Sequence, residues 1–343
     1  MSISDSIGRF LDELEKIDSV LIISHRNADA DAIVSANLIK KAIVRKKPSI
    51  RVEILFPNGI STKSKRIYEH LSMKFSKELK EEYFQYDMLI FIDIGSEEVL
   101  ESAEKLLEAE KPIKILIDHH IHQVQFLRKF DLTIISDEVS STCEIAYEIA
   151  KMVNLTIDKR TAITMMAAII IESRFLHKAK CRTFEILREV CKGDIEISEA
   201  FGLISRDKDF SEKVAILKGL KRMRIYRVDD WLFVFSNLSA YRSETASQIA
   251  NIGVDFVAIG TEEDNSCKVH IRISDRFLRE IQVDATRDLV QMLISKFGGQ
   301  GGGHAQVANV TLNTKLEEAF NTLLETLSSI TEKKFGKKLT KLE

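Results

Sequence analysis

Three short apolar runs in this chain each stop on acidic or histidine residues. Residues 20–24 (VLIIS) lead into His25-Arg26-Asn27-Ala28-Asp29-Ala30-Asp31, residues 88–92 (MLIFI) end on Asp93, and residues 114–117 (KILI) end on Asp118-His119-His120. Short apolar runs bounded by polar segments read as buried parallel strands. Parallel strands deliver their C-terminal ends to one edge of the sheet, where α/β proteins build ligand sites. The pattern therefore predicts that His25, Asp29, Asp31, Asp93, Asp118, His119 and His120 converge on one crevice. Carboxylates within about 4 Å of each other repel by roughly 4 kcal/mol per pair at an effective dielectric near 20. Such a cluster needs cations to neutralise it, and the expectation is a centre holding two metal ions.

Composition removes several alternatives. At 343 residues, 45% apolar and 30% charged, the chain can bury two cores and carries no disorder signature. Lys+Arg 50 against Asp+Glu 52 gives a formal charge of -2, which argues against retention on long nucleic acid by bulk charge. No apolar stretch reaches membrane-spanning length, and the N-terminus has no signal-peptide pattern. Cys143, Cys181, Cys191 and Cys267 are scattered without C-x-x-C spacing, as suits packed or surface thiols in a reducing cytoplasm. The expectation is a cytoplasmic protein with no membrane partner.

Helix and strand patterns alternate through the first half. They predict helices over 5–16, 31–44, 63–82 and 97–109, with strands over 20–24, 50–55, 88–92, 114–117 and 132–136. From 141 the pattern turns helical, with Ser141-Thr142-Cys143-Glu144 reading as a helix start and capping box. Strand signals return at 224–228, 231–236, 254–259 and 267–273. A Gly-rich turn at 298–304 precedes a last strand near 306–311, and an amphipathic helix over 314–333 leads into a basic tail. The fold class predicted is α/β: a mostly parallel sheet with helices on both faces, then a smaller α/β domain.

Hard oxygen donors mixed with imidazole suit Mn, Mg, Fe or Co better than a closed structural zinc site. Taken together, His25-x3-Asp29-x-Asp31, the strand-end Asp93 and Asp118-His119-His120 resemble the DHH phosphoesterase family, in the branch with RecJ-like exonucleases, nanoRNases and pAp phosphatases. The resemblance runs from His25 to the Gly301-Gly302-Gly303-His304 signature of the DHHA1 domain. It implies a DHH metal-binding phosphoesterase domain over 1–195, a helical linker over 196–225 and a DHHA1 substrate-binding domain over 226–335.

Carried over residue by residue, His25 and Asp29 would hold one metal and Asp31 and His119 the other, with Asp93 bridging both. His120 would contact the scissile phosphate, and Asp118 would orient the histidine pair. The family's fourth metal motif, Ile-Val-x-Asp-Thr-Gly-x-Phe, corresponds to Ile169-Ile170-Ile171-Glu172-Ser173-Arg174-Phe175, with Glu172 as the ligand in place of Asp and one residue missing. Ala28 and Ala30 stand where Pro and Gly are common. Gly301, Gly302 and Gly303 offer bare backbone N–H groups to an anion, and His304 adds a donor. Arg272 matches the family's substrate-gripping arginine, whose guanidinium binds phosphate in two-pronged fashion. After the histidine, the family's small-residue run is replaced by Ala305-Gln306-Val307-Ala308-Asn309.

The reading is a phosphodiesterase or phosphatase with two Mn2+ ions, Mg2+ or Co2+ being the alternatives. Its substrates would be short RNA or DNA oligonucleotides, dinucleotides or nucleoside bisphosphates, and a homodimer is compatible with it. Two rival readings stay open: a RecJ-like single-strand exonuclease, and a catalytically weak scaffold in replication or repair, which only the Glu172 substitution encourages.

Overall fold

The structure, a computed structural model, describes residues 3–71, 73–205 and 208–342. The chain divides into two compact units, Met1–Arg206 and Asp207–Glu343. Of the stretch 196–225, the helix Ile197–Ile204 belongs to the first unit and the helix Phe210–Lys221 to the second, while Arg206 and Asp207 lie outside the described residues.

The first unit is built on five strands: β1 (Ser19–Ile23), β2 (Arg51–Leu55), β3 (Met88–Ile92), β4 (Ile113–Asp118) and β5 (Leu132–Ile135). They pair in the order β2-β1-β3-β4-β5, every pair parallel. Alternation along the strands feeds two cores. Val20 and Ile22 of β1 join Ile90 and Ile92 of β3 beneath the helices Ala30–Lys46, Thr142–Met152 and Lys159–Glu172. Leu21, Ile23, Leu89 and Phe91 face the other way, against Leu100, Leu106 and Phe126. With both faces covered, each fully buried aliphatic side chain contributes about 1.5–3 kcal/mol, which explains why these strands are apolar throughout. The chain leaves β1 outward for β2 and returns on the far side to β3. The tips of β1 and β3 therefore flank the point where strand order reverses, the usual ligand crevice of an open α/β sheet.

Two expected helices are corrected. The stretch 63–82 is α-helical only at Lys65–Leu71 among the described residues, with 3-10 turns at Thr62–Ser64 and Glu81–Gln85 and Ser72 outside the described residues. Between them, Ser76 N donates to Ile54 O and Ser76 O accepts from Phe56 N, at 2.8 and 3.0 Å. The chain runs extended there to satisfy the outer edge of β2, a tertiary demand that local periodicity does not carry. The segment Glu97–Glu108 is 3-10 helix broken at Glu101, which sits at φ 51°.

The second unit is a seven-stranded sheet of β6 (Arg224–Val228), β7 (Trp231–Asn237), β8 (Phe256–Glu263), β9 (Ser266–Ile273), β10 (Gly299–Gly303), β11 (Val307–Leu312) and β12 (Thr340–Lys341). The order is β10-β11-β9-β8-β7-β6-β12, and among the described residues only β7 and β8 run parallel. Trp231, Phe233 and Phe235 pack into its main core with Phe256, Phe277 and Phe320. The Gly-rich segment is not a turn but the edge strand β10, and the basic tail ends by pairing Thr340 with Arg227. No helix among the described residues is long and apolar enough to cross a membrane.

Candidate metal centre

The first motif reaches the sheet edge because β1 ends on the start of a helix. Asp29 is the N-cap of Ala30–Lys46, its Oδ1 accepting from Ala32 N at 3.1 Å. That places Asp31 in the first turn, where the helix dipole favours a carboxylate. Asp31 is buried and also caps a second helix: Oδ2 accepts from Thr142 N at 2.7 Å and Oδ1 from Cys143 N at 2.8 Å. The capping box expected at Ser141–Glu144 is thus replaced. Ser141 makes no side-chain cap bond, and Glu144 Oε1 instead accepts from Ser140 N at 3.1 Å and Ser140 Oγ at 2.7 Å. Asp93, just past β3, holds φ 54°. For a side chain other than Gly, Asn or Asp that left-handed conformation costs roughly 1–2 kcal/mol. Thr142 Oγ1 donates to Asp93 Oδ1 at 3.1 Å and fixes it.

Two donor groups face each other across Asp93, which is only 5% exposed. On one side, His25 Nε2 lies 3.8 Å from Asp29 Oδ1 and 3.9 Å from Asp93 Oδ2. His25 Nδ1 is engaged by Arg26 O at 2.8 Å, which turns Nε2 toward the acids. On the other side, His119 Nε2 lies 3.7 Å from Asp93 Oδ1, 3.9 Å from Asp31 Oδ2 and 3.8 Å from Glu172 Oε1. Donors about 2.1 Å from one ion stand about 3.0 Å apart at right angles and about 4.2 Å apart when opposed. These separations fall inside that window and outside hydrogen-bonding range. His119 Nε2 is buried and has no hydrogen-bond partner among the described residues, although three carboxylates surround it. A buried nitrogen so placed fits a metal ion, and the donor set of carboxylates and imidazoles fits a divalent one.

Asp118 is spent on the protein. Its Oδ2 accepts from Ile94 N at 2.7 Å, and its Oδ1 from His119 N at 2.7 Å, His120 N at 3.0 Å and His120 Nδ1 at 2.7 Å. The half-exposed ring of His120 therefore keeps Nε2 for a ligand. Glu172 is the last residue of Lys159–Glu172. After it, Arg174, Phe175 and Leu176 all take left-handed backbone, at φ 52°, 55° and 69°. Arg174 does so where the family pattern has glycine, the residue that bears this conformation at least cost.

The electrostatics show the cation demand. Burial first, then Asp93, Asp29 and Glu172, hold Asp31 well above the usual carboxylate range. Burial, Asp29 and Asp118 do the same to Asp93, and burial and Asp29 raise Glu172. Burial works against a charge on His25, but Asp29 and Asp93 override it and push the ring up to about 9. The hydrogen bond to Asp118 lifts His120 to about 9, while burial and the neighbouring His120 lower His119 to about 4. A neutral His119 is the form that ligates a metal.

Sequence reasoning passed over three contributors. His122, buried against Phe126, places Nε2 3.2 Å from Asp118 Oδ2. Its spacing of four from Asp118 is the signal that was available. Thr142 and Cys143 hold Asp31 and Asp93 through backbone and hydroxyl, which no residue pattern announces.

The remaining expected residues lie in the second unit. Arg272, on β9, donates from Nη1 to Ser247 Oγ at 3.0 Å. His304 is exposed, and its backbone N donates to Val307 O at 2.8 Å. The glycines of β10 differ from one another. A Cβ would come within 2.5 Å of Asn309 O at Gly301 and 2.2 Å of Val307 O at Gly303, whereas at Gly302 nothing lies within 4 Å. Close approach of β11 explains Gly301 and Gly303, and only Gly302 leaves backbone bare without a packing reason.

Comparison with known proteins agrees with this picture. Residues 19–169 match the DHH family, N-terminal domain, and residues 241–333 match the DHHA1 domain. An uncharacterized protein of Methanocaldococcus jannaschii is 27% identical over 333 residues, covering 94% of this chain and 96% of its own. Among solved structures, an exopolyphosphatase-related protein from Bacteroides fragilis shares the fold at a TM-score of 0.66 and 17% identity, over 95% of this chain and 96% of that one. The two matched domains fall one in each unit, and the chain belongs to the DHH/DHHA1 family, whose members are typically metal-dependent phosphoesterases.

Proposed function

We propose that this chain is a cytoplasmic, two-metal phosphoesterase that hydrolyses short oligonucleotides, dinucleotides or nucleoside bisphosphates. The observation that carries the reading is Asp93, whose two oxygens face separate donor groups at 3.7 and 3.9 Å from His119 Nε2 and His25 Nε2. In this reading His25, Asp29 and Asp93 hold one ion, and Asp31, Asp93, His119 and Glu172 hold the other. Mn2+ is the proposed metal on the mixed oxygen and imidazole donors, with Mg2+ or Co2+ as alternatives. Such ions supply Lewis acidity toward a phosphoryl oxygen and lower the pKa of a water nucleophile.

The chain's own groups do the rest. His120, cationic at neutral pH through Asp118, presents Nε2–H to a non-bridging oxygen of the scissile phosphate and stabilises charge that builds there. Asp118 fixes the tautomer and ring orientation by accepting from Nδ1. In the second unit, Arg272 and the bare backbone at Gly302 are the proposed substrate-binding groups, with Gly301, Gly303 and His304 shaping that strand. The near-balanced charge of -2 favours short substrates over long strands, whose retention needs many phosphate contacts.

The test is hydrolysis of a 5′-labelled RNA and DNA length series, with a nucleoside bisphosphate, in Mn2+, Mg2+ and chelator. Metal-dependent cleavage strongest on the shortest species supports the proposal. Equal cleavage of long strands moves the protein to the exonucleases, and no turnover with any metal makes it a scaffold.

A further inference from the structure

A groove of about 510 Å³ lies on the second unit, lined by Arg242, Lys268, Gln300, Gly302, Asn309 and Thr311. Strand register explains its floor. Gly302 pairs with Asn309, and Asn309 with His270; in the next row on the same face, Gln300 pairs with Thr311 and Thr311 with Lys268. Two basic side chains, two amides and the Thr311 hydroxyl therefore border a patch where Gly302 contributes no side chain. That combination admits a flat ring beside anionic oxygens.

One residue lining the groove is held from below: His270 is 3% exposed in the middle of β9, and its Nδ1 lies 2.9 Å from Asn309 Oδ1. An amide oxygen only accepts, so Nδ1 carries the proton. The other ring nitrogen, Nε2, is buried without a hydrogen-bond partner among the described residues, a cost that an aliphatic strand residue would avoid. Burial, reinforced by Arg272 and Arg242, keeps the ring below the usual histidine range and neutral. Among the described residues the ring's hydrogen bond goes to the Asn309 amide, which it holds by its oxygen. Asn309 is exposed, and among the described residues nothing accepts from its Nδ2. Its two N–H bonds are free in the groove next to Gly302.

We propose that Asn309 reads a nucleobase in this groove by donating from Nδ2 to a base carbonyl, and that His270 is the positioning residue that fixes the amide in this orientation. Because His270 holds Oδ1 on the buried side, Asn309 presents Nδ2 to the groove as a donor edge. It accepts bases that present an oxygen, guanine through O6 or uracil through O4, and rejects the amino groups of adenine and cytosine at the same edge. Arg242 supplies the countercharge for the attached phosphate, and Lys268, ion-paired with Glu263 Oε2 at 2.7 Å, adds a donor to the rim. The inference rests on the nucleotide-hydrolysing reading above, but it concerns binding in the second unit and is tested without turnover.

The experiment is equilibrium binding of GG, UU, AA and CC 5′-phosphorylated ribodinucleotides to the full chain in chelator, for the native protein and for Asn309→Asp, His270→Phe and His270→Gln. The expected result is tighter binding of GG and UU than of AA and CC by about five- to tenfold, the scale of one well-placed hydrogen bond. Asn309→Asp, an acceptor, reverses that order. His270→Phe levels it by freeing the amide, and His270→Gln, which keeps a donor and folds if Phe does not, restores part of it. Equal affinity for all four, no binding, or a loss in Asn309→Asp that is the same for every base overturns the proposal. Metal-dependent hydrolysis of the same dinucleotides, measured separately, decides the phosphoesterase reading on its own.

Discussion

Replacing Asp93 by Asn separates a metal-bridging carboxylate from a merely buried one. Asn is the substitution of choice because Asp93 sits at φ 54°, a conformation Asn tolerates and Ala does not, and because the Asn oxygen can still accept from Thr142 Oγ1. The donor atoms of His25, Asp29 and Asp93 lie within 4.8 Å of one another. In chelator, burial and then Asp29 and Asp118 hold Asp93 well above the usual carboxylate range, so its charged form is disfavoured and an uncharged Asn costs little there. D93N in chelator should therefore melt within a few degrees of the native protein. Metal separates the two. Ligand at a hundredfold excess over Kd stabilises the folded state by about 2.7 kcal/mol, which corresponds to a rise of roughly 5–10 °C for a unit of this size. The native protein should show that rise with Mn2+, and D93N less than about a quarter of it. Turnover of a dinucleotide should fall by more than about 100-fold, since loss of a direct ligand exceeds the effect reported for an outer partner. Thermal melts with and without Mn2+, paired with initial rates, make the measurement. A D93N protein that keeps both the metal-induced shift and the turnover refutes the reasoning.

Other outcomes follow from the same geometry. Gly302→Ala should melt like the native protein and bind nucleotide more weakly, whereas Gly301→Ala, whose Cβ meets Asn309 O at 2.5 Å, should lose several degrees; equal melting of the two would undo the distinction. In chelator, stability should fall between pH 6.5 and 9. His25, raised to about 9, stabilises fully below its unfolded value and loses that contribution as pH climbs through 9. Asp31 and Asp93, raised well above the carboxylate range, act in the same direction, because the folded form holds protons that the unfolded chain has released. Each unit of displacement is worth about 1.4 kcal/mol, and a melting temperature that rises over that interval would contradict the assignment. Glu172→Ala should weaken Mn2+ binding and lower kcat about tenfold or more while leaving dinucleotide affinity in chelator intact; unchanged kcat in saturating Mn2+ would return Glu172 to the status of a helix-end acid.

Much of this was legible in the chain because parallel-strand chemistry is local. Apolar runs such as 88–92 announce strands buried on both faces, and the residue after each run is where a site can be built. The seven strand-tip residues and Glu172 gather at one edge for that reason. What escaped was set by tertiary demand. Ser76 is extended because β2 had an unpaired edge, and Glu101 and Arg174–Leu176 adopt left-handed backbone that no periodicity encodes. The glycine run looked like a turn, since glycine punctuates loops more often than it lines strands. It is an edge strand because β11 approaches too closely for any side chain at Gly301 or Gly303. Asp31 serving as the cap of Thr142–Met152 joins residues 111 positions apart, beyond any sequence window.

The most direct test of the central account is to count and place Mn2+ in crystals of the native protein by anomalous diffraction. The account predicts two peaks, one among His25, Asp29 and Asp93 and one among Asp31, Asp93, His119 and Glu172, with an Asp93 oxygen on each. A single peak, a peak that leaves Asp93 out, or Mn2+ bound only elsewhere would contradict it.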